Sequence, residues 1–352
     1  MKRLFFVVVA IIVLGILVFL LMPSPIDPLA WTPPKAPELT GVYQQNNQLS
    51  NLEIIYKDQC QQCEDVAIDS IGRIYGGQVN GDIVVFDKQN RKVLTNTGGR
   101  PLGLHFDQLG NLVVADADAG LLSIDVTTGK ITTLVDEYEG KKMIFVDDVE
   151  IAENGIMYFS DASVKFGFHD NALDIIEGRG NGRLYAYDPM TKQTKLLLSD
   201  LRFANGIAVA HDQSYVLVNE TGRYRTHRYW LNGPKAGQSD LFIENLPGFP
   251  DGISQGTEGI YWLALVSPRN LELDEILDSP FMKNIVAKLP KSMQPAPTHY
   301  GFILGLDSEG KVQYNLQDPS KKFSEITSVQ QFGNTLYIGS LYESSLAKYS
   351  LK

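Results

Sequence analysis

Between residues 64 and 351 one pattern recurs six times: a short apolar strand, a turn carrying Gly or Asn, a second strand of alternating type, another turn, and a third strand ending near Asp. The copies are EDVAIDSIGRIYGGQVNGDIVVFD (64–87), LGLHFDQLGNLVVADADAGLLSID (102–125), and DDVEIAENGIMYFSDAS (147–163) completed by GRLYAYD (182–188). They continue as NGIAVAHDQSYVLVNETGRYRTHRYWL (205–231), DGISQGTEGIYWLAL (251–265) completed by HYGFILGLD (299–307), and TSVQQFGNTLYIGSLYESSLAKYSL (327–351). Alternation of period two, bounded by turn residues, marks strands, and beyond residue 50 almost no stretch of period 3.6 competes with it. A single unit cannot bury both faces of its small sheet, so neighbours must stack, and radial closure removes the exposed edges. The expected fold is therefore all-β, a six-bladed β-propeller. A strand-like run before the first copy, LEIIYKD (52–58), and the run that ends the chain are positioned to complete one blade from both ends.

Residues 4–22 form an uncharged run of nineteen behind Lys2 and Arg3, just long enough as a helix to cross a bilayer. No small-x-small cleavage site follows, so the segment reads as an uncleaved signal anchor, with a cleaved signal peptide as the alternative. Keeping Lys2 and Arg3 cytoplasmic puts the rest of the chain on the non-cytoplasmic side. The expected organisation is an anchor over 1–22, a spacer over 23–37 made semi-extended by its prolines, and the propeller over 38–352. Two insertions depart from the strand pattern. LELDEILDSPFMKNIVAKLP (271–290) has helical spacing with Ser279-Pro280 as a kink or restart, and VKFGFHDNALDIIEGRGN (164–181) has room for a helical turn. Both leave the ring after an inner strand pair, so they roof one face, either as a lid over a cavity or as an inert cap or membrane-facing surface.

The net charge of −10 and the lack of a concentrated basic face exclude sequence-neutral nucleic-acid binding. In a propeller, residues just before the innermost strands converge on the axis, and Glu64, Asp147, Asn205 and Asp251 hold that position without a Lys or Arg among them. Such a set repels itself unless protonated or bridged by a cation, and its oxygen donors suit Ca²⁺. The competing reading is that acidic turn residues merely cap strand ends. His105 is either a packed strand histidine or a proton shuttle. The other histidines lack zinc spacing, and no GxSxG elbow exists. Cys60 and Cys63 read as a local disulfide, with free thiols or a redox pair as alternatives. Asn219-Glu220-Thr221 is a formal glycosylation sequon.

The run RFANGIAVAHDQSYVLVNETGRYRTHRYWLNGPKAGQSDLFIENLPGFPDGI (202–253), with SPFMKNIVAKLP and ITSVQQFGNTLYIGSLYESSLAKYSL, resembles the strictosidine-synthase-like family, and within it the adipocyte plasma membrane-associated protein type. That group is similar in turn to the paraoxonase, gluconolactonase and diisopropyl-fluorophosphatase propellers. The resemblance implies an axial calcium, with Glu64, Asn205 and Asp251 at ligand positions and Asp147 where the hydrolases usually present asparagine. It makes Asp251 the nucleophile or base, and puts Gly252 where many relatives carry asparagine. Aligning the last blade with the alkaloid-forming plant enzyme puts Gln331 at that enzyme's catalytic glutamate, and an uncharged amide cannot transfer that proton. The expected activity is thus calcium-dependent hydrolysis of small esters or lactones, arylesterase- or lactonase-like, and not a Pictet–Spengler condensation. Asp251 and His105 are the candidate catalytic residues, and Glu64, Asp147, Asn205 and Asp251 the candidate metal ligands. The alternative is a non-catalytic, metal-stabilised propeller serving as a membrane-anchored binding protein. The expected partners are the small substrate and, through residues 4–22, a lipid bilayer.

Overall fold

The computed structural model describes residues 2–88 and 90–351; Lys352, the last residue of the expected propeller segment, lies outside them. Six four-stranded antiparallel sheets are the blades of a propeller. Blade 1 comprises Val66–Ile68, Ile74–Gly77, Asp82–Asp87 and Asn90–Asn96, and blade 2 Pro101–Phe106, Leu112–Asp116, Gly120–Ile124 and Ile131–Val135. Blade 3 comprises Val146–Ile151, Met157–Asp161, Gly182–Asp188 and Gln193–Leu201, and blade 4 Ala204–Val209, Tyr215–Glu220, Arg225–Trp230 and Ser239–Ile243. Blade 5 comprises Gly248–Gln255, Tyr261–Pro268, Gly301–Leu306 and Val312–Asp318. Blade 6 takes Ile326–Phe332, Thr335–Ser340 and Leu346–Ser350 from the end of the chain and Glu53–Ile55 from its beginning. Ile54 stands opposite Ala347, and Lys348 Nζ lies 3.1 Å from Glu53 Oε2, so the ring is closed by strands from both ends.

The apolar positions of successive strands stack between blades. Ala67, Tyr75 and Ile83 of blade 1, for example, cluster with Leu104, Leu112 and Val114 of blade 2, each side chain contributing about 1.5–3 kcal/mol on burial if large. The innermost strands of blades 2 to 6 each carry a register irregularity near their start, as between Val146 and Val149 or Pro250 and Ile253. A bulge adds a residue and re-aims the side chains beside it. Here it lets two neighbours, such as Asp147 and Asp148, both serve the axis.

Helix α1 spans Lys2–Leu21. Helix α2 (Asn171–Glu177) lies between the second and third strands of blade 3, and α3 (Leu271–Ile276) and α4 (Pro280–Ala287) between those of blade 5. The expected kink is a full restart: Asn270 caps α3 by accepting from Leu273 N at 3.0 Å, Ser279 caps α4 by accepting from Met282 N at 3.3 Å, and Pro280 begins α4. The three helices meet over one end of the ring.

The proline-bearing segment is a strap and not a free spacer. Leu29 N and Trp31 N donate to the carbonyls of Glu177 and Leu277, each at 2.9 Å. The carbonyl of Leu29 accepts from the buried Lys283 Nζ at 2.6 Å, and that of Pro34 from Arg269 Nη2 at 2.8 Å. Trp31 packs on Tyr224 and lies under the Arg223 guanidinium at 4.1 Å. Proline composition alone signals extension, and extension is what exposes these carbonyls to donors on the lid.

Candidate functional site

Beneath the helices lies a cavity of about 150 Å³ whose lining includes Glu64, Asp147, Asn205 and Asp251. Its walls are apolar: Phe145, Phe203 and Phe249 from the ring, and Phe168, Ile176 and Leu273 from the insertions that form the lid. The same four polar residues also line a narrow space continuing down the axis past Asp65, Asp148 and Ser328. The structure therefore brings together all four oxygen side chains that the repeat pattern singled out, at the boundary between cavity and axis.

Their surroundings are held by the strands behind them. Asn219 Nδ2 donates to the carbonyl of Asp251, Thr226 Oγ1 donates to Asn219 Oδ1 at 2.6 Å, and Thr221 Oγ1 donates to the carbonyl of Pro250 at 2.7 Å. Asn219 is fully buried in this role, so the formal sequon is not open to glycosylation in the folded protein. Asp65 accepts from Leu104 N at 2.9 Å and Asp148 from Ile207 N at 2.7 Å, which ties blade 1 to blade 2 and blade 3 to blade 4 at the axis. Gly252 is required by the approach of blade 6: a Cβ there would stand 2.4 Å from the carbonyl oxygen of Thr327. An asparagine could not replace it without shifting backbone.

Burial raises the Asp147 and Asp251 carboxyls well above the usual range, and the charge of Glu64 pushes both further. Asn205 works the other way on Asp251 by hydrogen bonding. Glu64 is lifted to about 7 by burial, against the pull of Arg100. Among the described residues, Asp147 Oδ2 is buried with no partner, and neither oxygen of nearby Asp161 has one.

Arg100 was not among the expected site residues. It is buried, with Nη2 3.4 Å from Glu64 Oε2 and donating to the carbonyl of Gln62 at 2.9 Å, and its guanidinium lies 5.1 Å from the Phe168 ring centroid. Arg100 thus sets a buried cation beside Glu64 while lining neither space itself. Equivalent position alone passes over it, because Leu102 is the blade 2 counterpart of Asp147 in the strand register and Arg100 lies two residues earlier.

His105 does not join the site. It stands three residues beyond Leu102, the blade 2 counterpart of Asp147, roughly 10 Å at strand rise, and lines neither space. Its Nε2 lies 3.3 Å from Glu150 Oε1. Burial depresses the imidazole to about 4 and lifts Glu150 to about 8, so the two meet as neutral groups. Gln331 is also outside the cavity. Its Oε1 accepts from Trp262 Nε1 at 2.8 Å and Thr257 N at 3.1 Å, tying blade 6 to blade 5. The alignment of Gln331 with a catalytic glutamate therefore says nothing about this cavity. Cys60 and Cys63 form a buried disulfide in the loop that leads to Glu64.

Among the described residues, no three His, Cys, Asp or Glu side chains are gathered in metal-binding geometry. The chemistry of the donors nevertheless fits a hard cation: oxygen atoms only, mutual repulsion among the carboxylates, and the unpartnered Asp147 Oδ2.

The propeller fold is shared with solved structures of low sequence identity. A gluconolactonase of Xanthomonas campestris superposes with a TM-score of 0.64 at 16% identity, covering 94% of this chain and 99% of the other. Regucalcin of Agrobacterium tumefaciens, a calcium-binding protein, superposes at 0.61 with 14% identity, covering 84% and 92%. These likenesses carry the fold. At the level of sequence, residues 147–234 match the strictosidine synthase model and residues 41–86 the strictosidine synthase-like N-terminal model. Strictosidine synthase-like protein 6 of Arabidopsis thaliana is 37% identical, covering 82% of this chain and 78% of its own length. The human adipocyte plasma membrane-associated protein is 32% identical, covering 95% and 86%. The chain belongs to the strictosidine-synthase-like family.

Proposed function

We propose that this protein is a membrane-anchored hydrolase of small, weakly polar esters or lactones, acting with calcium, with its propeller on the non-cytoplasmic side. The observation that carries the reading is the meeting of Glu64, Asp147, Asn205 and Asp251 on the floor of an apolar cavity, with one carboxylate oxygen of Asp147 left without a partner. These four residues would hold the ion, which when bound supplies a positive centre for a carbonyl oxygen as negative charge develops on it. Asp251, on the floor of the cavity, takes the proton of an attacking water on its carboxylate. Asn205 orients that carboxylate, and the carbonyl clamp from Asn219 and Thr221 fixes the backbone beneath it. Arg100 offsets part of the charge of Glu64, and the four phenylalanines exclude bulk water and select an apolar substrate. A dianion is disfavoured by the acidic floor. The lactonase-type fold of the solved relatives and the calcium-binding relative support this reading.

The Arg100–Glu64 pair favours a second reading, a binding module in which an internal cation does part of what an ion would do. Hydrolysis of a phenyl acetate and lactone panel by the full-length chain in phosphatidylcholine nanodiscs separates the two. Calcium-dependent turnover, lost on chelation and in Asp251→Asn with the thermal transition retained, is the expected result. Turnover indifferent to both calcium and Asp251, or a bound ion with no turnover of any member, would overturn the hydrolase reading.

A further inference from the structure

The lid exposes apolar side chains beside the point where the anchor ends. Phe281 and Met282 on α4 are 62% and 40% exposed, and Met293 is 65% exposed, while Lys283 and Ala287 turn the other side of α4 inward. At the carboxyl end of α4, Lys288 Nζ donates to the carbonyl of Leu20 at 3.1 Å and stands 5.9 Å from the Phe19 ring centroid, against the last turn of α1. Seven residues separate Lys288 from Phe281, roughly 10 Å along a helix. The strap then continues from the anchor across Lys283, Leu277 and Arg269, so the lid end of the ring is held toward whatever surface α1 enters.

Apolar exposure alone would not argue for a membrane. Ile71 and Leu109, in the strand turns at the other end of the ring, are 76% and 87% exposed with no anchor near them. What distinguishes the lid patch is its continuity with α1 and the cations at its margin, Lys288 and Lys291. Apolar side chains rimmed by lysine suit the interfacial zone of a phospholipid bilayer, whereas the exposed Glu272, Glu275 and Asp278 mark the side of the lid that stays in water. The cavity opens on the same surface: Ala296 and Pro297 line it and are themselves exposed, three and four residues beyond Met293.

We infer that Phe281, Met282 and Met293 sit in the headgroup region of the bilayer that holds α1, and that the cavity receives its ligand from that bilayer, an amphiphile with an apolar tail and an ester-like head. The choice of an ester-like head rests on the hydrolase reading; the membrane contact does not.

The test uses the full-length chain in phosphatidylcholine nanodiscs made with or without lipids brominated on the acyl chain. In Phe281→Trp and Met293→Trp the added emission, over the background of the three native tryptophans, is quenched by the brominated lipid, and in Leu109→Trp it is not. Added tryptophans at 281 and 293 as unquenched as that at 109, or all three quenched alike, would overturn the contact. For the ligand, a long-chain alkyl ketone carrying a diazirine, an ester analogue that cannot be hydrolysed, is dissolved in the same bilayer and photolysed. Cross-links on Phe249 and Ala296, falling at least about tenfold when Phe281, Met282 and Met293 are all replaced by Ser, are expected from the loss of interfacial burial. Cross-links confined to α1, or unchanged in the triple variant, would overturn delivery from the bilayer. Because neither arm reads turnover, a failure here is separable from a failure of the hydrolase reading.

Discussion

Glu220 ends the second strand of blade 4, directly between Asn219, which holds the carbonyl of Asp251, and Thr221, which lines the cavity. Its carboxylate is fully buried and accepts from Arg225 Nε at 2.5 Å, His227 Nε2 at 2.7 Å and Arg202 N at 2.9 Å. Burial alone would raise its pKa, but His227 and Arg225 outweigh it and hold the group at about 2. A folded-state pKa near 2 against an ordinary value of 4.5 corresponds to about 3 kcal/mol of stability. Because the pKa is depressed in the folded state, this contribution is complete above pH 4.5 and is lost as the pH falls towards 2. About 2 kcal/mol of it is gone by pH 3. The perturbation is Glu220→Gln, and the assay is urea unfolding of the nanodisc-held chain, followed by tryptophan emission from pH 7 to pH 3. The difference between wild type and variant is expected to be about 3 kcal/mol at pH 7 and to shrink to about 1 kcal/mol at pH 3. A difference that stays constant across this range would refute the argument, since it would mean that Glu220 contributes shape and hydrogen bonding but no charge linkage.

Asp147→Asn removes a carboxyl whose pKa is raised by burial, Glu64 and Asp251, a destabilising term that grows above the ordinary carboxyl pKa. Without calcium the variant should melt above wild type at pH 8 and alike at pH 4, and its further rise on adding calcium should be smaller. Gly252→Ala drives a Cβ to 2.4 Å from the Thr327 carbonyl and should cost about 1–3 kcal/mol in unfolding free energy; an unchanged transition would mean the strands part freely at the axis. Ile54→Pro removes a backbone donor from the strand that closes blade 6 and should lower the midpoint of the whole ring, not of one blade; calorimetry showing an unaltered main transition would count against closure by that strand. Arg100→Gln leaves Glu64 with no buried cation, so turnover should become more dependent on calcium at neutral pH; a calcium titration unmoved by the change would contradict the role given to Arg100.

The blades were legible because their first three strands alternate and are punctuated by Gly and Asn turns. The outer strands were not, as Asn90–Asn96 shows: its residues are mostly exposed, so no buried face imposes a pattern. The closing strand was readable from LEIIYKD. The four oxygen side chains were found because equivalent blades put equivalent residues on the axis. Arg100 escaped the same logic, since the axial position of the second blade is held by Leu102 and Arg100 reaches Glu64 from two residues earlier. His105 was placed at the site through its residue type, whereas strand rise carries it past the cavity floor to meet Glu150. The strap was hidden for a different reason. Its hold on the lid runs through backbone carbonyls at Leu29 and Pro34, which any residue carries and which leave no trace in side-chain composition.

The pairing of Ile54 with Ala347 also sets a timetable for synthesis. The closing strand is synthesised early, and its partner follows about 293 residues later. At ordinary elongation rates that interval is roughly 15–60 s. Throughout it the outer edge strand of the nascent ring has no ladder partner, and blades 1 to 5 can form while blade 6 cannot. The ring therefore closes in a single step, once Leu346–Ser350 has been made and can pair with Glu53–Ile55.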